Sequence, residues 1–478
     1  MAFSLHRATA MTTPIPASSS LRYHFSGIAG AGMSPLAALM RRRGYAVQGS
    51  DRSLDLGKNA EIAASLRALG VELYPHDGSA VTPAIDRFVH STAVEASTPE
   101  MRAADALGLP RLTRPALLAE IVGAGQPGVA IAGTSGKSTI TGMLAWLLRE
   151  AAMPATVIGG AALVGEGRGG CLVAGPPNGP VVAEACESDG TLVGYRPTLG
   201  LVHNVSRDHA ELPALRAQFT AFATRCQTLF VNAASAEART LDQGRTLTYG
   251  VGPDADAPLL VDRLGRDRAR GRLRVEGREL TLDVPQPGLH NLENAAAAAL
   301  VALRLGLSMP TIQRLIPRFP GVSRRFEVVD ITGSGIRVVD DYAHNADKLR
   351  AALTTAQAAG ARVVAVFQPH GYGPARFLRP ELRELLPRVL RKEDRFCYAE
   401  IFYAGGTVAR DISSSLLADD LRSARECAYA PDHAAVQRWV LSEARAGDTV
   451  LIMGARDPDL PTLSRSIATA LRETLQPA

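Results

Sequence analysis

Lysine is nearly missing from this 478-residue chain. Only Lys58, Lys137, Lys348 and Lys392 occur among 52 lysines and arginines. A lysine that persists where arginine has otherwise taken over points to work a guanidinium fork does poorly, such as lying against phosphate oxygens. Cysteine is scarce as well. Cys171, Cys186, Cys226, Cys397 and Cys427 are scattered and odd in number, which excludes a disulfide framework or a cysteine-rich zinc site. They read as reduced thiols of a cytoplasmic protein. No run of 18 apolar residues exists, so no membrane partner is expected. The net charge of +5 is spread without a basic run, giving nucleic-acid binding nothing specific. Residues 1–21 are polar, small and proline-bearing, and lack the apolar centre of a secretory signal. They read as a flexible leader in which Met11 offers a second start.

Against those absences stand three α/β blocks, within the range of about two to four compact units that this length allows. In the first, RYHFSGIAGAGM is a strand entering a glycine turn, followed by a helix and the strand YAVQGSD. Gly27, Gly30 and Gly32 with Asp51 form a βαβ nucleotide-binding pattern, although the glycine order is not that of the usual dinucleotide turn. A glycine turn kept for packing is the bland alternative.

The second block holds GVAIAGTSGKSTITGMLAWLLRE. Gly128–Ala132 read as a buried strand, and Ile140, Met143, Leu144, Leu147 and Leu148 fall on one helical face. Strand, glycine loop and helix is the order in which backbone N–H groups and a helix N-terminus converge on an anion. Gly133, Thr134, Ser135, Gly136, Lys137, Ser138 and Thr139 are therefore expected to bind ATP. Lys137 would lie on the outer phosphates, and Ser138 would offer its hydroxyl to Mg²⁺. Glu276-Gly277 predicts a hairpin, and NLENAAAAALVALRLG a helix plausible as packing alone.

The third block carries the strands ARVVAVFQ, DRFCYAEIF and GDTVLIMGA. Carboxylates and histidines collect just past strand ends. They are Glu184, Glu187 and Asp189, then Asn204, Asp208, His209 and Glu211, then Asp340, Asp341, His344 and Asn345. Open α/β sheets place ligands at such ends, and hard oxygens there suit Mg²⁺. Each cluster alone also reads as a solvated polar turn.

Together, GTSGKST, EACESD, HNVSRDH, PGLHNLENA, GVSRRFE and DDYAHNADKL resemble the Mur ligase family of ATP-dependent amide-bond-forming enzymes, over residues 22–460. The chain's two ends resemble the branch that adds L-alanine to UDP-N-acetylmuramate, and its relative that reattaches recycled murein peptide. The resemblance implies an α/β fold of three domains. A UDP-sugar-binding Rossmann-like domain would span 22–120, a central phosphate-loop ATPase 121–320, and a C-terminal Rossmann-like ligase domain 321–478. It implies catalytic roles for Lys137, Glu184, His209 and Arg325, and Mg²⁺ on Ser138, Glu184 and His209. ATP would also meet His290, Asn291, Asn294, Arg325, Asp341 and His344. The UDP-sugar would meet Gly27, Gly30, Gly32, Asp51, His370 and Arg376.

The implied reaction activates a carboxylate as an acyl phosphate for attack by an amino acid. The partners are small molecules and the chain is a monomer or homodimer. Several branches use a carbamylated lysine in the central domain. None lies between Lys137 and Lys348, as in the alanine-adding branch. Departures from the branch pattern are Ser135, Cys186, Ser206-Arg207, Gly371 in place of an arginine, and EIFYAGGT without its glutamate. They leave open a different acceptor, or a nucleotide-binding regulator without catalysis.

Overall fold

The computed structural model describes residues 21–91, 94–166, 170–187, 190–207, 211–241, 244–252, 254–358, 362–403 and 409–474. The chain divides into two compact units, one of 1–162, 167–248 and 304–307, the other of 163–166, 249–303 and 308–478. Three groups of parallel strands lie within the three sequence blocks.

In the first unit, β1 (Arg22–Ser26), β2 (Ala46–Ser50), β3 (Glu72–Tyr74), β4 (Arg87–His90) and β5 (Arg111–Thr113) form a parallel sheet. Its order, β3-β2-β1-β4-β5, is doubly wound, so β1 is central and the turn after it opens at the strands' carboxyl ends. The strands β6 (Gly128–Ala132), β7 (Thr156–Gly159), β8 (Cys171–Val173), β9 (Val181–Glu184), β10 (Leu199–Val202) and β11 (Thr228–Asn232) follow. Their order is β11-β10-β6-β9-β7-β8, with β6 parallel to both β9 and β10. Every residue of β6 is buried, as its apolar run predicts for a strand covered on both faces. One core joins Phe25 and Val89 of the first sheet and Leu36 of the helix Met33–Arg42 with Ala130 and Ala183 of the second sheet and Phe219 of the helix Leu212–Ala223.

The chain passes into the second unit within β12 (Thr246–Gly250). There β13 (Ala257–Leu264), β14 (Ala269–Val275) and β15 (Arg278–Val284) make an antiparallel meander. Its second turn is the expected Glu276-Gly277, both at positive φ (51° and 76°), the geometry of a two-residue hairpin. The alanine-rich helix Leu289–Arg304 is buried along most of its length. The last sheet comprises β16 (Glu327–Ile331), β17 (Arg337–Asp341), β18 (Val363–Gln368), β19 (Arg395–Ala399), β20 (Cys427–Ala430) and β21 (Thr449–Gly454). Its order is β16-β17-β21-β18-β19-β20, parallel except for the edge strand β16. Inserting β21 between β17 and β18 places a switch point, and so a crevice, at the carboxyl ends of β18 and β21. Among the described residues no helix is long and apolar enough to cross a membrane.

Candidate nucleotide and substrate sites

The phosphate loop leaves β6 and ends at Gly136, whose φ of +87° starts the helix Lys137–Glu150. Gly133 sits at φ +134°, and a Cβ there would stand 3.1 Å from the Asn204 backbone nitrogen. Asn204, just past β10, grips the loop from the side. Its carbonyl accepts from Thr134 N (3.0 Å), its side-chain oxygen from Ser135 N (2.8 Å), and its amide donates to Ser135 O (3.3 Å). Thr134 and Ser206 exchange two further bonds. The HNVSRDH cluster, read from sequence as candidate ligands, thus contributes first a clamp on the loop.

Lys137 is buried. Its ammonium donates to Glu187 Oε2 at 2.7 Å and to the Gly133 carbonyl. Burial disfavours that charge, but Glu187, with Cys186 and Glu184 behind it, outweighs burial and holds the pKa above the usual lysine value. Next to it, Ser138 Oγ donates to Glu184 Oε1 (3.0 Å), while Glu184 Oε2 accepts from Gly160 N (2.9 Å). A serine hydroxyl and a carboxylate side by side at the start of a phosphate-loop helix form an oxygen donor set that fits Mg²⁺. Among the described residues no group of three or more His, Cys, Asp or Glu converges as a metal cluster. His209, Asp208 and Asp189 lie outside the described residues. The pairing of Lys137 with Glu187 had no sequence signal beyond the acidic run itself.

In the first sheet the glycine turn is closed by β2. Ser50 O accepts from Gly27 N (2.9 Å) and Ile28 N (3.0 Å), and Asp51 Oδ2 accepts from Ala29 N (3.0 Å). Asp51 also caps the short helix Arg52–Asp55 through Ser53 N (2.8 Å). Gly27 needs its φ of +82°, and a Cβ placed at Gly32 would stand 3.0 Å from Arg114 Cδ. The four expected residues are therefore brought together.

The second unit holds the remaining candidates. On the helix Leu289–Arg304, Asn291 donates to Pro287 O (2.8 Å) and Asn294 to Asn291 Oδ1 (3.4 Å). Asn294 Oδ1 is buried without a hydrogen-bond partner among the described residues. A nucleobase amino group would satisfy that oxygen. Burial pushes the His290 imidazole down to about 4, so it is neutral at neutral pH.

Of the two adjacent arginines after β15, Arg324 is spent on structure. It donates to Gly454 O and Ala455 O, each at 2.7 Å, and pairs with Asp340. The Arg325 guanidinium lies 5.0 Å from the centre of the Tyr342 ring. Asp341 receives Phe326 N and Ala343 N, both at 2.7 Å, so its carboxylate clamps backbone; burial raises its pKa despite Arg325 and those amides. His344 donates from Nδ1 to Tyr342 O (2.8 Å) and meets His370 edge-on at 5.5 Å. Gly371 has φ +71° and precedes the helix Tyr372–Val389. Arg376 is paired with Asp411. Cys226, Cys397 and Cys427 are free thiols, and burial pushes each up to about 12.

Loop, helix and sheet order define a phosphate-loop α/β protein with a second Rossmann-like sheet at each end of the chain. Two family models match it: "Mur ligase family, catalytic domain" over residues 22–125, and "Mur ligase, glutamate ligase domain" over 324–456. UDP-N-acetylmuramate–L-alanine ligase of Kineococcus radiotolerans is 37% identical over 459 residues, covering 91% of this chain and 93% of that protein. The ligase of the same name from Phenylobacterium zucineum is 33% identical, covering 91% and 92%. Among solved structures, UDP-N-acetylmuramate–alanine ligase of Thermotoga maritima superposes with a TM-score of 0.76 at 25% identity, covering 95% of this chain and all of that one. The chain belongs to the Mur ligase family.

Proposed function

We propose that this protein is an ATP-dependent ligase that joins L-alanine to the carboxylate of UDP-N-acetylmuramate, in the synthesis of peptidoglycan precursors. The observation that carries the reading is the phosphate loop with Lys137 and Ser138 each facing a carboxylate. It stands in a chain alike over nine-tenths of its length to ligases of that name. A carboxylate is a poor electrophile, so its oxygen first attacks the γ-phosphorus of ATP and ADP leaves. The amine then attacks the acyl carbon, loses a proton, and phosphate departs.

Backbone N–H groups of Gly133–Thr139 would hold the phosphates, and Lys137 would neutralise the transferring group. Mg²⁺ held by Ser138 and Glu184, with His209 as the further proposed ligand, would supply additional positive charge there. In the second unit, Arg325 is the proposed phosphate arginine, because Arg324 is committed elsewhere. His290, Asn291, Asn294, Asp341 and His344 are proposed nucleotide contacts. Gly27, Gly30, Gly32, Asp51, His370 and Arg376 are assigned to the UDP-sugar, with domain limits of 22–120, 121–320 and 321–478. Cytoplasmic location and a monomeric or homodimeric state belong to the same reading.

A second acceptor, such as a recycled murein peptide, is favoured by one feature. Gly371 stands where the branch carries arginine, and Arg376, the nearest substitute, is paired with Asp411. Phosphate release with ATP, Mg²⁺, UDP-N-acetylmuramate and, in turn, each of the twenty amino acids and a murein tripeptide, with products weighed, tests both. A product heavier by one alanyl residue, seen only with L-alanine, supports the first. Turnover only with a murein peptide supports the second, and ATP binding without turnover on either defeats both.

A further inference from the structure

A fully buried carboxylate, Glu100, lies beneath the glycine turn of the first sheet and takes no part in the proposed chemistry. Its Oε1 accepts from His24 Nε2 (3.0 Å) and Ser50 Oγ (2.5 Å), and its Oε2 stands 3.1 Å from His76 Nδ1. The donor count fixes the direction of every bond. Arg22 donates to Gln48 Oε1 (3.2 Å), which orients the amide. The amide nitrogen then donates to Ala80 O (2.9 Å) and to His24 Nδ1 (3.2 Å), leaving Nε2–H of His24 for Glu100. On the other side, the single hydroxyl proton of Ser50 goes to Glu100. Ser50 Oγ must therefore accept from His76 Nδ1–H at 2.8 Å. Phe88 stacks on His24 with ring centres 5.4 Å apart and seals the network.

Ser50 is the junction. Its side chain belongs to this buried network, while its carbonyl receives the Gly27 and Ile28 amides of the turn. Asp51 follows directly and receives Ala29. Glu100 Oε2 has the His76 ring beside it but no hydrogen bond of its own among the described residues. The carboxylate is therefore held through Oε1, where losing His24 or Ser50 leaves a desolvated polar atom. We infer that Glu100 is a positioning residue for the UDP-sugar: acting through Ser50 and His76, it presets the Gly27–Gly32 turn and Asp51 for the nucleotide sugar. The inference rests on the proposed function, in that it takes the turn as the UDP-sugar site.

Glu100→Gln keeps size and one accepting oxygen, but sets an amide donor against His76 Nδ1–H or Ser50 O–H. KM for UDP-N-acetylmuramate is expected to rise about tenfold, the change that loss of one charge-assisted hydrogen bond corresponds to. KM for ATP and kcat should stay within about twofold, since the phosphate loop is untouched. The same loss should appear as weaker UDP binding by calorimetry. Ser50→Ala, which keeps the carboxylate and both histidines, should raise the same KM by a smaller factor and serves if Glu100→Gln does not fold. A structural role alone would lower the melting temperature with no KM selective for the UDP-sugar, and would overturn the inference. Wild-type protein that binds ATP but no UDP-sugar would sink the proposed function and this inference together. Equal UDP-sugar affinity in wild type and in the variants would sink the inference alone.

Discussion

At the scale of single residues, charge is balanced in pairs. The buried Lys137 ammonium has Glu187 as its counter-ion. Glu187→Gln should lower the melting temperature of the nucleotide-free protein, because an uncompensated buried charge costs about 3–5 kcal/mol. Added ATP should then raise that temperature by more than it does in wild type, which a thermal-shift titration reads directly. Gly371 is constrained by backbone. With φ +71° and ψ 137°, it occupies a region that other residues enter at a cost of about 1–3 kcal/mol. Gly371→Arg, which restores the arginine usual in the branch, should therefore destabilise the protein in chemical denaturation. Lys137, Ser138 and Glu184 were legible as candidates because loop spacing and a strand end mark them, and the structure sets Ser138 against Glu184 and Lys137 against Glu187. The sequence left Glu100 unnoticed, because a glutamate in a first helical turn ordinarily reads as a solvated charge favoured by the helix dipole.

At the scale of elements, strands were the most legible. β6, β17, β18 and β21 coincide with apolar runs, and the Glu276-Gly277 hairpin with its turn residues. The helix Lys137–Glu150 was read with one apolar face, yet Thr141, Gly142 and Ala145 are buried too. Periodicity marks the most apolar face of a helix and says nothing of how far packing extends beyond it. The clamp that Asn204 places on the loop was equally hidden, since 69 residues separate it from Ser135. Asn204→Ala should free two loop groups and raise KM for ATP about tenfold, with little change in KM for the UDP-sugar. Initial rates against each substrate check the split.

For the molecule as a whole, the pH response is a balance of buried groups whose shifts oppose one another. His290 has a folded pKa of about 4, below its usual 6.5, so its contribution is complete above pH 6.5 and disappears as pH falls toward 4. That difference is worth about 3 kcal/mol. Glu100 is lowered from 4.5: burial opposes this, but His24 and His76 prevail, so its contribution is lost only as pH falls below about 4.5. His76 and His433 are raised by bonds to Glu100 and Asp457, so they lose stabilisation only as pH climbs past 6.5. Asp340, pushed up to about 6 by burial, works the other way across much of the same window, since its folded form holds a proton that the unfolded chain releases. The His290 contribution is therefore read as a difference: in urea unfolding at several pH values, His290→Gln should lose less stability than wild type between pH 6.5 and 4.

The ion pair at the phosphate loop has a further consequence. A loop that carries its own carboxylate is already occupied by an anion, so any incoming anion competes with an internal ligand present at very high effective concentration. Orthophosphate or sulfate would exchange one partner of Lys137 for another and gain little. A triphosphate brings enough charge to make the exchange worthwhile. Glu187 should thereby act as a threshold: phosphate or sulfate should leave the melting temperature unchanged at concentrations where ATP raises it.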